Sequence, residues 1–267
     1  MPVIYTERGP GWYANHRRDH FTHPPLLLIH GAAGSHLDWP LDLRRINGIV
    51  PDLPGHGKSS DMPSRNRISH YAADMLALLD ALEIPSAVIV GHSMGGAVAM
   101  TMALESPERV AGLILINTGA KLAVAPMILD NVLPDQALVG EHLKATLWSD
   151  GTPQKVRDLS YDQFMRTPPQ VALDDYTACQ HFDIRDQVSR IECPALVFGA
   201  SDDQMTPPRY ASYLAEHLPD ARLVMIENAS HMLPLERPQQ LADEVGHWLA
   251  SRFGDYTAPA ASSIEDI

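Results

Sequence analysis

The chain has 267 residues, 45% of them hydrophobic and 20% charged, with a formal net charge of −13. That length supports one large core or two modest domains, and the composition excludes disorder of the whole chain. So acidic a balance offers no basic field to a nucleic acid or to an anionic membrane surface.

The chain opens on MPVIYTERGPGWYANHRR, which lacks the basic-then-apolar order of a secretory signal. No stretch reaches the about eighteen apolar residues of a membrane span. Two cysteines, Cys179 and Cys193, make no disulfide framework by number or spacing. A cytoplasmic protein is expected.

The first buried-strand run is PLLLIHG (25–31), and it leads into the glycine-rich loop HGAAGSHLDW. A phosphate loop is the rival reading of that loop, but neither G-x-x-x-x-G-K-[ST] nor G-x-G-x-x-G is present. A second run, NGIVPD (47–52), precedes ISHYAADMLALLDALEI, where Tyr71, Met75, Leu78, Leu79 and Leu82 recur at helical spacing. The strand SAVIVG (86–91) and the helix GGAVAMTMALESPERV then flank Gly91-His92-Ser93-Met94-Gly95. Strand, G-x-S-x-G and helix in that order describe a nucleophile elbow, which lifts Ser93 above the sheet edge.

AGLILIN (111–117) is followed by a long interval with no buried-strand run. APMILDNVL, ALVGEHLKATLW, PQKVRDLSYDQFM and PQVALDDYTACQHF read as short helices separated by Pro, Gly and Asp, so 118–190 is expected to be a helical insertion. Met127, Leu129, Leu133, Trp148 and Phe164 form its own small core or line a pocket. Lys144, Lys155, Arg157 and Arg166 are expected on the surface, which leaves a mainly apolar pocket. The strands PALVFG (194–199) and ARLVMIE (221–227) alternate with the helices PPRYASYLAEHLPD and RPQQLADEVGHWLASRF. This alternation predicts an α/β fold, a mostly parallel sheet with helices on both faces. The tail DYTAPAASSIEDI, 255–267, is expected to fray.

A serine hydroxyl needs a base. Of the 13 histidines, His231 lies in the loop NASHMLPLERP after the last strand. Loops leaving the carboxyl ends of parallel strands share one rim, and Ser93 is on it. His92 is given a structural role, because the elbow points neighbouring side chains apart. Oxyanion stabilisation requires backbone N–H donors: Ala32, where Gly31 lets the loop turn close, and Met94 after the nucleophile.

With these residues in place the chain resembles the α/β-hydrolase superfamily, in its branch of serine esterases, lactonases and carbon–carbon hydrolases. The motifs that carry the resemblance are HGAAGS with Trp39 downstream, PDLPGHGKS, GHSMGG, CPALVFGASDDQMTP and ASHMLPLERP, in family order over nearly the whole chain. The resemblance implies an eight-stranded, mostly parallel sheet, a core of 1–117 and 191–254, a helical cap at 118–190, and no cofactor or metal. It also places a catalytic acid after the strand that follows the cap, where two aspartates stand side by side. Counting from Gly199 by the family's G-x-x-D spacing selects Asp202. Counting from Pro194 or back from Pro207 selects Asp203, and neighbours on an extended segment point to opposite sides. Asp203 is assigned to the triad and Asp202 to the turn.

The implied activity is that of a serine carboxylesterase acting on small to medium esters, with the substrate and water as partners. The same triad serves a lactonase or a carbon–carbon hydrolase equally well, and some relatives of this fold bind small ligands without turnover.

Overall fold

The computed structural model describes residues 3–18 and 21–254; the expected fraying from residue 255 lies outside the described residues. In chain order the elements are β1 (Val3–Thr6), β2 (Gly9–Asn15), β3 (Leu26–Ile29), α1 (Leu41–Arg44), β4 (Gly48–Pro51), α2 (Ile68–Ala81), β5 (Ala87–His92), α3 (Met94–Glu105) and β6 (Val110–Ile116). There follow α4 (Pro126–Asn131), α5 (Gln136–Thr146), α6 (Gln154–Arg166), α7 (Pro169–Gln180), β7 (Ala195–Ala200), α8 (Pro208–His217), β8 (Ala221–Ile226), α9 (Leu233–Glu236) and α10 (Pro238–Phe253).

The strands form one eight-stranded sheet in the order β1-β2-β4-β3-β5-β6-β7-β8. From β4 to β8 every pairing is parallel, and the β1–β2 hairpin adds antiparallel to β4. Successive side chains of a strand point to opposite faces, so each central strand feeds two cores. Leu27, Ile29, Ile89, Leu113, Leu115 and Val197 pack under α2, α3 and α8. Leu26, Leu28, Val88, Val90, Ile114, Leu196 and Phe198 pack against Leu43 of α1 and Leu241, Val245, Trp248 and Leu249 of α10. Burial on both faces is what makes these strands read as unbroken apolar runs. α2 turns Tyr71, Met75, Leu78 and Leu79 inward, as its spacing predicts.

Two expectations need correction. The Val, Leu and Ile of ARLVMIE read, like the other runs, as a strand buried on both faces, but β8 is the sheet's edge, and Arg222 and Leu223 are exposed. β1 and β2 were not expected as strands, since VIYT and GPGWYAN interrupt their apolar residues with Gly and Pro.

Helices α4 to α7 fill the interval between β6 and β7. Ile128, Val132, Val139, Leu143, Phe164, Ala172 and Tyr176 form their own small core, with Met127 and Leu129 packed at its margin. Leu133 belongs to neither core nor pocket and is 51% exposed. Among the described residues no helix is long and apolar enough to cross a membrane.

Candidate active site

β5 ends at His92 and α3 begins at Met94, so Ser93 alone makes the turn, with φ 52 and ψ −118. A left-handed φ costs a residue with a Cβ roughly 1–2 kcal/mol. Hydrogen bonds hold it there: Ser93 N–H donates to the Ile116 carbonyl at 3.0 Å, and its own carbonyl accepts from Thr118 Oγ1 at 2.7 Å. The glycines of the motif are required by contact. A methyl at Gly95 would run into the Ile29 carbonyl, and one at Gly91 into the Gly95 carbonyl.

His231 follows β8 and is buried. Its Nε2 lies 3.0 Å from Ser93 Oγ, and its Nδ1 lies 2.9 Å from Asp203 Oδ2 and 3.1 Å from Oδ1. An ionised carboxylate only accepts, so Nδ1 carries the proton and Nε2 is left to accept from the serine hydroxyl. The ring is also fixed through its backbone, because the His231 carbonyl accepts from His92 Nε2 at 2.8 Å and Asn117 Nδ2 at 3.0 Å.

Asp203 is buried, and Met205 N–H, Thr206 N–H and Thr206 Oγ1 donate to it at 2.8, 3.0 and 2.8 Å. Burial by itself raises its pKa. The His231 charge and hydrogen bond, with those from Thr206, outweigh burial and hold the carboxyl below its usual range. Asp202 is exposed; its carboxylate accepts from its neighbour Ser201 Oγ at 2.7 Å and its carbonyl from Ser230 Oγ at 3.3 Å. The turn-capping bonds expected of Asp202 are therefore made by Asp203. Thr206 and Asn117 were missed as supports of this cluster; the D-x-M-T-P string contains Thr206, whereas nothing in the sequence ties Asn117 to His231.

The loop after β3 closes on Ser93, where a methyl built on Gly31 would stand 3.3 Å from Ser93 Cβ. The N–H groups of Ala32 and Met94 have no hydrogen-bond partner among the described residues. Met94 also opens the twelve-residue helix α3, whose positive end favours negative charge.

These groups border a cavity of about 90 Å³ whose lining includes Ala32, Ser93, His231, Leu143, Trp148, Phe164, Tyr176 and Met205. The wall is mainly apolar, as expected from sequence, but polar and charged side chains also reach it. Asp38, Lys144, Arg157, Tyr161 and Gln163 line it too, while Lys155 and Arg166 are exposed as expected. Lys144 pairs with Asp158 at 2.6 Å, and the Arg157 guanidinium donates to the Ser149 and Thr152 carbonyls. Burial pushes the Asp38 carboxyl up to about 6, against the hydrogen bonds from Ser35 and Gln163. Among the described residues no three His, Cys, Asp or Glu side chains come together as a metal site.

The chain belongs to the alpha/beta hydrolase family, whose model matches residues 26–244. It is similar to the 3-oxoadipate enol-lactonase 2 of Acinetobacter baylyi, 32% identical over 80% of this chain and 85% of that one. A protein of Pseudomonas savastanoi pv. phaseolicola, named provisionally as the carbamate hydrolase RutD, is 30% identical over 84% of this chain and 92% of its own length. Among solved structures, a thermophilic esterase from Thermogutta terrifontis with malate bound superposes with a TM-score of 0.82. It is 25% identical, covering 94% of this chain and 98% of that one.

Proposed function

We propose that this chain is a serine hydrolase of small to medium carboxylic esters that works through an acyl-enzyme. The observation that carries the reading is the unbroken line from Ser93 Oγ to His231 Nε2 at 3.0 Å and from His231 Nδ1 to Asp203 at 2.9 Å. Ser93 Oγ attacks the ester carbonyl while His231 Nε2 takes the hydroxyl proton, and Asp203 stabilises the imidazolium so formed. The carbonyl oxygen becomes an oxyanion held by the Ala32 and Met94 N–H groups. Collapse expels the alcohol, which takes the proton from His231. Water then attacks the acyl group with His231 again as base, and the acid leaves Ser93 free. These steps use only the chain, the ester and water.

We read 118–190 as a cap on a hydrolase core of 1–117 and 191–254, since its helices supply one wall of the cavity and the core loops supply the other. The cavity's modest size favours short acyl groups. A lactonase is the second reading, favoured by the 32% identity to an enol-lactonase. A panel of p-nitrophenyl esters of graded chain length, run beside simple lactones, tests the assignment. Turnover of short esters by the parent and its loss in Ser93→Ala support the esterase. Turnover of lactones with esters ignored replaces it with the lactonase.

A further inference from the structure

Asp175 lies on α7, inside the insertion, and is completely buried. Its Oδ2 accepts from the Ala33 N–H at 2.7 Å and from His56 Nε2 at 2.8 Å, and its Oδ1 accepts from the Tyr71 hydroxyl at 2.5 Å. One carboxylate thus gathers donors from the loop after β3, the loop after β4, and α2. The serine mechanism uses none of these bonds directly.

We propose that Asp175 is a positioning residue for the oxyanion loop: its grip on the Ala33 N–H keeps the Ala32 N–H facing the oxygen attacked at Ser93. This rests on the serine-hydrolase reading above. Gly31 to Gly34 form a turn closed by the Gly34 N–H on the Gly31 carbonyl at 3.2 Å. Its third residue, Ala33, has φ 54, where a glycine would ordinarily stand. Such a turn relaxes by turning over its central peptide, between Ala32 and Ala33, which brings φ back to negative values. Asp175 opposes that flip by holding the N–H of this peptide. The Thr167 hydroxyl, also from the insertion, holds the Ala33 carbonyl at 3.1 Å. The Ala32 N–H lies on the preceding peptide, whose Gly31 carbonyl accepts from His30 Nδ1 at 2.8 Å and from the Gly34 N–H, so releasing Ala33 loosens it through the shared Ala32 α-carbon and the turn closure at Gly34.

The charge is handled within the same cluster. His56 Nδ1 faces the Pro54 carbonyl at 3.0 Å and Nε2 faces Asp175, so both ring nitrogens donate and the imidazole is cationic. The Asp175 charge is thereby offset locally and does not oppose the anion forming at Ser93. The insertion is in this sense part of the oxyanion apparatus as well as a wall of the cavity.

The test compares Asp175→Ala and the conservative Asp175→Asn with the parent. Leu249→Ala, a cavity in the core on the opposite face of the sheet, serves as a destabilised control. Active sites are counted with a fluorophosphonate, and kcat, KM and the affinity for phenylboronic acid, which forms a tetrahedral adduct on the serine, are measured where every variant is folded. In Asp175→Ala, kcat and boronate affinity should fall together by about 10- to 100-fold, with KM within about threefold. Asp175→Asn, which keeps an acceptor, should fall in the same two quantities by a smaller factor of at least about fivefold. Leu249→Ala should melt earlier and turn over at the parental rate per site. If Asp175→Ala does not fold, Asp175→Asn decides alone. A kcat per site within about twofold of the parent, or a lower kcat with unchanged boronate affinity, overturns the proposal. A parent whose Ser93 is not labelled overturns the hydrolase reading and this proposal with it; a labelled parent with unaffected variants overturns this proposal alone.

Discussion

His30 and His56 have ring centroids 4.9 Å apart and hold opposite protonation states. His30 Nδ1 donates to the Gly31 carbonyl at 2.8 Å while its Nε2 accepts the Leu53 N–H at 3.0 Å, which only a neutral ring can do. His56 faces acceptors with both nitrogens and is charged. Burial, followed by the charge of His56, pushes His30 down to about 4. Burial also acts against the charged form of His56, but Asp175 outweighs it and its pKa is raised. Nitrogen-15 NMR of the imidazoles checks this at pH 7.5 and pH 5.5. His56 should show two protonated nitrogens at both values, and His30 one at both. A His56 ring with one bare nitrogen at pH 7.5 would contradict the assignment.

Stability should fall on mild acidification. For His30 and His92 the folded values, about 4 and about 3, lie below the ordinary 6.5 of an exposed ring. Between those limits the unfolded chain binds protons that the folded chain refuses, so stability rises with pH up to about 6.5 and is lost below it. Asp38 acts in the opposite sense between 3.8 and about 6, because its raised value makes the folded state bind a proton first. His16 and His23, whose values burial also lowers, act in the same sense as His30 and His92, so the loss outweighs the Asp38 gain. Melting temperatures from pH 6.5 to pH 5 should therefore decline, and a flat or rising trend would refute the balance.

The two adjacent aspartates should separate sharply. Asp203→Asn leaves the site's shape intact but removes the acceptor that fixes the His231 tautomer, and should cost about four orders of magnitude in kcat. The exposed Asp202 carboxylate accepts from Ser201 Oγ, and Asp202→Asn, which leaves its backbone bonds in place, should keep kcat within about twofold, as expected of a surface substitution. Steady-state kinetics on one ester, with both variants shown folded by circular dichroism, checks the order.

Glu236 should prove a second tie between insertion and core. Its Oε1 accepts from Ser149 N–H at 2.6 Å and Thr152 Oγ1 at 2.5 Å, and its Oε2 from the N–H of Ser230, the residue before His231, at 2.5 Å. Glu236→Gln turns an amide NH2 toward one of these donors, and a buried donor left unmatched costs about 1–3 kcal/mol. Thermal melting should show a loss of that size, with a lower kcat because the His231 loop is freed. An unchanged melting temperature would show that the contact carries no weight.

What could be read from sequence follows from where each signal resides. The central strands announce themselves because burial on both faces requires unbroken Leu, Ile and Val, as in PLLLIHG. β8 shares that composition but lies at the edge, and strand order is a tertiary fact that no local window contains. β1 and β2 escape because a partly exposed antiparallel hairpin tolerates the Gly and Pro of GPGWYAN. Ser93 is legible because an elbow fixes spacing over five residues, and His231 because a loop leaving β8 can only reach that rim. The cluster of Ala33, His56, Tyr71 and Asp175 is not legible. Its members are 104 to 142 residues from Asp175 in sequence, and Asp175 by itself reads as an ordinary polar position on α7. The cations at the cavity wall escaped for a related reason: Lys144 and Arg157 sit on polar helix faces, and which face meets the core is decided by packing.

The most direct test of the account is the reactivity of Ser93. The parent should be labelled one-to-one by a fluorophosphonate, with the modification mapped to Ser93, and should hydrolyse short p-nitrophenyl esters. Ser93→Ala, folded by circular dichroism, should show neither. Ester hydrolysis at a near-parental rate in Ser93→Ala, or a label mapped to another residue, would contradict the account.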